Sequence, residues 1–317
     1  MNSGPYSISR ANLELQILVD AITTRLTTVC VVVICICATS PAYGSCHEDL
    51  SKTPQQRLRK FEIFDATIFR GKPSPSVIGM KPLPVVYTGR LWGPEDDRTF
   101  LPKEEQVLRV AREFENHQGP IVLDVEHWPV RGTPQTRAES LEKYLTLLRW
   151  FRKGAPNSSL GYYGLPPIRD YWRAVKGQHT SAYKEWQKEN DAVTTIAREV
   201  DVLFPSIYTF YDDEKGWERY AVAQICEARR YGSKKVYPFI WFQFHDSNVQ
   251  LKGQFLPGRL WALQLETMAR LADGLVIWGG WNVITNRQMD WDDQAEWWRV
   301  TKKFLESDLA KNSGRSQ

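Results

Sequence analysis

The chain has 317 residues, 42% hydrophobic and 25% charged, with a formal net charge of +4. That balance excludes a disordered or fibrous polypeptide and suffices for a substantial core. The mild positive charge contains no basic run, so nothing points to nucleic acid as a partner, and an anionic polymer is tolerated without being demanded.

Residues 29–38 form an apolar run holding Cys30, Cys35 and Cys37, with Arg25 before it and Ser40-Pro41-Ala42-Tyr43-Gly44 after it. This is the layout of a signal peptide, and the run is shorter than the roughly 20 residues a membrane span requires. Ala42 and Gly44 fit a cleavage before Ser45. Residues 1–44 are therefore expected to be signal peptide and N-terminal extension, 45–310 a single catalytic domain and 311–317 a disordered tail. The stretch before Arg25 exceeds what a signal needs, which leaves a downstream start open. The expected product is secreted or periplasmic, without a stable membrane span. Cys46 and Cys226 remain, enough for one bridge. A lipid on Cys46 is the alternative, which Tyr43 fits poorly because lipoprotein signals prefer an aliphatic residue there.

From Phe61 onward, short apolar runs alternate with longer amphipathic stretches, the pattern of repeated βα units. Strands are expected over Phe61–Phe69, Val85–Thr88, Ile121–Glu126, Leu160–Tyr163, Val202–Phe204, Val236–Phe242 and Gly274–Trp278. Helices are expected over Lys103–His117, Arg137–Phe151, Ser181–Arg198, Trp217–Tyr231, Arg259–Ala272 and Trp291–Leu309. Seven strands predict an α/β fold of TIM-barrel type. An open doubly wound sheet is the alternative, but no Gly-rich phosphate loop follows the first strand.

In such barrels, sites form at the C-terminal ends of the strands, so polar residues that end an apolar run are the candidates. Ile121-Val122-Leu123-Asp124-Val125-Glu126 ends on two carboxylates whose i, i+2 spacing turns them to one side. Two carboxylates in one environment repel, and one is pushed toward keeping a proton. That equips the pair to protonate a glycosidic oxygen while stabilising positive charge on a sugar, with Glu126 as the acid and Asp124 in support. An isolated Asp-x-Glu is more often a pair of strand-end ion-pairing residues, so the motif by itself is a weak signal. His127 adjoins the pair and His245 stands alone; both are read as structural, and no metal or cofactor is expected. The thirteen Trp residues are read mainly as core.

Four segments, in order, resemble the hyaluronidase family of glycoside hydrolases. They are Ile121-Val-Leu-Asp-Val-Glu-His-Trp-Pro129, Gly161-Tyr-Tyr-Gly-Leu-Pro166, Leu203-Phe-Pro-Ser-Ile-Tyr208 and Gly274-Leu-Val-Ile-Trp-Gly279. Weaker echoes are Val85-Val-Tyr-Thr and Phe244-His245-Asp246. The resemblance runs from about Phe61 to Trp281. It implies the seven-stranded barrel variant and a retaining mechanism in which the substrate's N-acetyl group is the nucleophile. Under it, Glu126 is acid and then base, Asp124 holds the acetamido group, and Tyr208 hydrogen-bonds to it. Tyr163 lines the same subsite, Trp278 forms its apolar wall, and Tyr162 and Asp246 join them as substrate-binding residues. The implied partner is a polysaccharide, with a glycosaminoglycan foremost.

The sequence also departs from the family. Val125 stands where the family has Trp, the body of the chain is nearly free of cysteine, and Gln224 replaces a basic helix residue. These departures leave the polymer open. The rival hydrolase is of chitinase type, but its longer acidic signature is missing at Gly119 and Ile121. A non-catalytic glycan-binding barrel is the remaining alternative, against which Glu126 counts.

Overall fold

Alternating apolar runs become parallel strand segments, and the amphipathic stretches between them become covering helices. The computed structural model describes residues 61–313, all within one unit, Cys46–Gln317. The strands are β1 Glu62–Thr67, β2 Lys81–Pro82, β3 Val85–Tyr87, β4 Pro120–Asp124, β5 Ser159–Tyr162, β6 Val202–Leu203, β7 Lys235–Val236, β8 Phe239–Trp241 and β9 Gly274–Gly279. The longer helices are α1 Glu104–Arg112, α2 Pro134–Gly154, α3 Ser181–Ala192, α4 Glu214–Arg229, α5 Gly258–Leu271 and α6 Glu296–Ser313.

β1 pairs in parallel with β2 and with β9, β9 with β8, β3 with β4, β4 with β5, and β6 with β7. Parallel bridges from Tyr163 to Phe204 and from Ser206 to Phe239 join these groups. β2 and β3 are halves of one segment: the Leu83 N–H donates to the Asp65 carbonyl (3.3 Å) on one side, and the Pro84 carbonyl accepts from Val122 N–H (3.0 Å) on the other. β7 and β8 are also halves, interrupted around Pro238, which has no N–H to donate. The strand expected over Val236–Phe242 is broken there. Pairing thus passes through seven parallel segments and returns to β1, a seven-membered β/α barrel.

Alternation along the strands sorts side chains between two cores. Ile121, Leu123, Leu160 and Tyr162 pack with Tyr144, Leu147, Leu148 and Phe151 of α2, whereas Val122 and Tyr163 belong to the other cluster with Phe204, Phe239 and Val276. Gly161 is required for contact between neighbouring segments, because a Cβ there would lie 2.2 Å from the Val202 carbonyl oxygen.

Two expected helices differ in extent. The one expected over Ser181–Arg198 breaks after Ala192, and a short helix follows over Thr194–Glu199. The Thr194 hydroxyl donates to the Asp191 carbonyl (2.7 Å) at the break, in a Val193-Thr194-Thr195 run that disfavours continuous helix. The last helix starts at Glu296 rather than Trp291, since the backbone before it is held by a bridge between Arg70 and Asp290. Trp297 is buried and stacks on Phe242 with centroids 4.0 Å apart, so the helix docks its aromatics on the barrel. The helix continues through Ser313, past the tail boundary expected at 311. The expected signal segment 1–44, Cys46 and residues 314–317 lie outside the described residues. Cys226 is disulfide-bonded, and the chain's other cysteines all precede residue 61. No described helix is long and apolar enough to cross a membrane.

Candidate active site

β4 ends on Asp124, which faces the opposite way from Leu123 and Val125, both buried against the helices. Asp124 and Glu126 open into one cleft of about 430 Å3 at the C-terminal ends of the strands. The backbone carrying them is braced from several directions. The Thr88 hydroxyl donates to the Asp124 carbonyl (2.9 Å), and the Tyr144 hydroxyl donates to the carbonyls of Val125 (3.1 Å) and Trp128 (3.2 Å). The Trp128 indole donates to the Arg98 carbonyl (2.9 Å). His127 packs edge-on to Trp92 and Trp128 beside this turn.

The two acids differ in depth. Burial, and after it the neighbouring Glu126, pushes the Asp124 carboxyl up to about 7, and no described side chain donates a hydrogen bond to it. Glu126 is the more accessible, its side chain 52% exposed. Its carboxyl is also raised by the surrounding protein, pulled back by Arg169 and pushed up again by Asp246. An Arg169 guanidinium nitrogen lies 3.8 Å from a Glu126 carboxyl oxygen. Both acids are thus pushed toward the protonated form, the deeper Asp124 up to about 7.

Opposite the acids stands an aromatic wall. Tyr208 follows β6, is buried and hydrogen-bonds to Tyr163, whose hydroxyl also bonds to that of Ser206 (3.0 Å). Trp278 of β9 stacks on Tyr208 with centroids 5.9 Å apart at 29° and donates its indole N–H to the Tyr87 hydroxyl (3.0 Å). Burial raises the Tyr208 and Tyr163 hydroxyls well above the ordinary phenol range and takes Tyr87 to about 12. All three stay protonated and able to donate. Asp246 lines the cleft from the loop after β8, next to His245.

Of the residues expected from sequence, Asp124, Glu126, Tyr163, Tyr208, Asp246 and Trp278 all line this cleft. Tyr162 does not. One residue before Tyr163 on an extended strand, it faces the helices, is 1% exposed, and donates to the Tyr144 carbonyl (2.7 Å). Its expected role in substrate binding is corrected to one in packing.

The sequence reading missed Arg169 and Trp241, and it gave His245 only a structural role. All three line the cleft. Arg169 sits in the loop after β5, and its guanidinium also lies over the Phe210 ring at 5.9 Å. His245 packs against Phe210 and Tyr208, with centroids 4.8 and 5.9 Å away. Burial, with Arg169 acting the same way against Asp246, drives His245 down to about 4, so the ring is neutral at neutral pH. A polar residue in a loop after a strand was the only sequence signal for Arg169. Among the described residues, no group of three or more His, Cys, Asp or Glu side chains could hold a metal ion.

No family model matches the chain. It is 27% identical over 160 residues to a salivary hyaluronidase of Lutzomyia longipalpis, a match covering 48% of this chain and 38% of that protein. The chain therefore spans well under half the length of the curated relative it matches. Among solved structures, bee venom hyaluronidase superposes with a TM-score of 0.54 at 16% identity, covering 80% of this chain and 100% of that one. The same bee venom protein in complex with a hyaluronic acid tetramer gives 0.55 at 16% identity, covering 81% and 99%. The chain is similar over part of its length to the salivary hyaluronidase, from which it is remote in sequence, and similar to the bee venom protein in fold.

Proposed function

We propose that the chain is a secreted glycoside hydrolase, a retaining endo-β-N-acetylhexosaminidase that cleaves a glycosaminoglycan such as hyaluronan or chondroitin. The observation that carries this reading is the raised carboxyl pair Asp124 and Glu126, facing the Tyr208 and Trp278 wall across one cleft. The likeness to hyaluronidases, one of them solved with a hyaluronic acid tetramer, supports the same reading.

The chemistry follows from the two environments. In the free cleft burial pushes both carboxyls toward keeping a proton, Asp124 up to about 7. An acetamido N–H donated to Asp124 favours its ionised form, while a sugar covering the exposed Glu126 disfavours ionisation there. Binding thus places the proton on Glu126, beside the scissile bond. Glu126 gives it to the glycosidic oxygen as the bond from that oxygen to the anomeric carbon breaks, and the acetamido oxygen attacks the same carbon from the opposite face. Asp124 offsets the positive charge on the resulting ring, the Tyr208 hydroxyl donates to the acetamido oxygen, and Trp278 flanks the sugar. Water then attacks the anomeric carbon and gives a proton to Glu126 as the bond from that carbon to the acetamido oxygen breaks, which restores the acetamido group. Two inversions leave the configuration retained, with no enzyme nucleophile, one of the recognised departures from the two-carboxylate scheme.

The test is release of reducing ends from hyaluronan, chondroitin and chitin oligosaccharides by the purified protein and by Glu126→Gln. Release on one polymer that disappears in the variant is expected, and the responding polymer names the specificity. Equal release by both proteins would refute the mechanism.

A further inference from the structure

Beyond the cleft, two aromatic rings stand in solvent. Trp172 is 59% exposed and Tyr211 36% exposed. They are ring to ring, with centroids 4.8 Å apart at 47°. Large exposed aromatics cost hydrophobic free energy, and such a pair is one of the surface features that marks a binding site.

Their position connects them to the cleft. Trp172 is on the segment that leaves β5 and carries Tyr163 and Arg169; Tyr211 is on the segment that leaves β6 and carries Tyr208. A line of rings joins the two places. Tyr211 lies 5.0 Å from Tyr171, Tyr171 lies 6.1 Å from Phe210, and Phe210 lies against both His245 and the Arg169 guanidinium, which line the cleft. The exposed pair is thus anchored, through the buried rings of Tyr171 and Phe210, to the Arg169 and His245 side chains that line the cleft.

The segment that carries Trp172 is held in place by the protein's own contacts. The Asp170 side chain accepts from the Arg173 N–H (2.9 Å) and pairs with Arg131 (3.0 Å) and Arg173 (2.7 Å), and both arginines also bond to Glu189. The Ile168 N–H donates to the Asn190 side chain (2.8 Å), and the Ile168 carbonyl accepts from the Trp186 indole (2.8 Å). A platform held this way loses little freedom on binding.

We propose that Trp172 and Tyr211 form an outer sugar-binding subsite, taking the apolar face of a pyranose ring from the polymer whose N-acetylhexosamine occupies the cleft. This rests on the hydrolase reading and adds that the protein grips its substrate several sugars from the scissile bond, as suits cleavage within a chain.

The experiment measures binding by calorimetry in the Glu126→Gln background, with and without Trp172→Ala, Tyr211→Ala or Trp172→Phe. The ligands are long and short oligosaccharides of hyaluronan, chondroitin and chitin. For the polymer bound, Trp172→Ala is expected to weaken long-oligosaccharide binding about tenfold, a loss of about 1.4 kcal/mol. Tyr211→Ala should weaken it less, Trp172→Phe should restore most of it, and tetrasaccharide binding should be unchanged. Unchanged long-chain affinity, an equal loss for short and long ligands, or no binding of any polymer by the parent would each overturn the proposal. So would a change in molecular mass by light scattering, which would assign the rings to self-association. A wild-type protein that releases no reducing ends, but whose long-chain binding still depends on Trp172, would remove the hydrolase reading and leave the subsite.

Discussion

Two buried acids on opposite sides of the strand layer make an instructive pair. Asp124 at the end of β4 and Glu227 on α4 are both pushed up to about 7, each chiefly by burial. Glu227 is fully enclosed: Arg230 bonds to one carboxyl oxygen, Gln187 donates to the other (3.2 Å), and Arg230 in turn pairs with Asp191 (2.6 Å). Asp124 has no such partners, and its carboxyl faces open space beside a second acid. A raised carboxyl alone does not mark a site. What distinguishes the cleft is that its acids are raised and also left free to meet a ligand.

The sharpest way to break this comparison is to neutralise one acid in each place. Glu126→Gln should lower kcat/KM by about 10^2 to 10^4, the ordinary worth of a general acid, whereas Glu227→Gln should change it less than about twofold, because no substrate atom reaches that carboxyl. Similar losses in both would mean that burial, not the cleft, explains activity. Next in size are Asp124→Asn and Tyr208→Phe, each expected to reduce kcat by about 10^2 with smaller changes in KM, since both act on charge that develops during the reaction. A pure KM effect in both would restrict them to shaping the groove.

The pH profile sharpens the comparison further. Activity needs one proton on the Asp124 and Glu126 pair, so kcat/KM should fall as pH rises beyond about 7. Arg169 favours the ionised Glu126, so Arg169→Gln should move that falling limb to higher pH and Arg169→Lys should keep it in place. An unmoved limb in the Gln variant would deny Arg169 this role. The smallest expected effect is on stability. The folded state holds a proton on Asp124 that the unfolded chain loses at lower pH, so ionisation of Asp124 costs stability progressively from about pH 4 to about pH 7. Asp124→Asn should therefore raise Tm by about 2–4 °C at pH 8 and by less at pH 4. An equal change at both pH values would point to packing instead.

Much of this was legible in the linear chain. The strand ending in Asp124 and Glu126 is a continuous apolar run, and period-two alternation alone puts both acids on the side away from Leu123. The same rule, applied to Tyr162 and Tyr163, separates a packing residue from a cleft residue; the family likeness of Gly161-Tyr-Tyr-Gly obscured it by drawing both tyrosines into the site. Pro238 marks the broken sixth segment for anyone counting backbone donors. Arg169, His245 and the Trp172 and Tyr211 pair were not legible in that way. Each lies on a loop, or for Trp172 on a single short helix within one, whose path is set by partners distant in sequence, such as Asn190 and Trp186 for the Arg169 loop.

The sequence by itself determined the barrel's strands and helices and the acid pair, because hydrophobic period and residue order act over neighbouring positions. Only the tertiary structure decided that Asp124 is pushed to about 7, which cation stands 3.8 Å from Glu126, and that the segments after β5 and β6 bring Trp172 and Tyr211 ring to ring. Burial and charge proximity are properties of packed space, and they exist only once distant segments have been brought together.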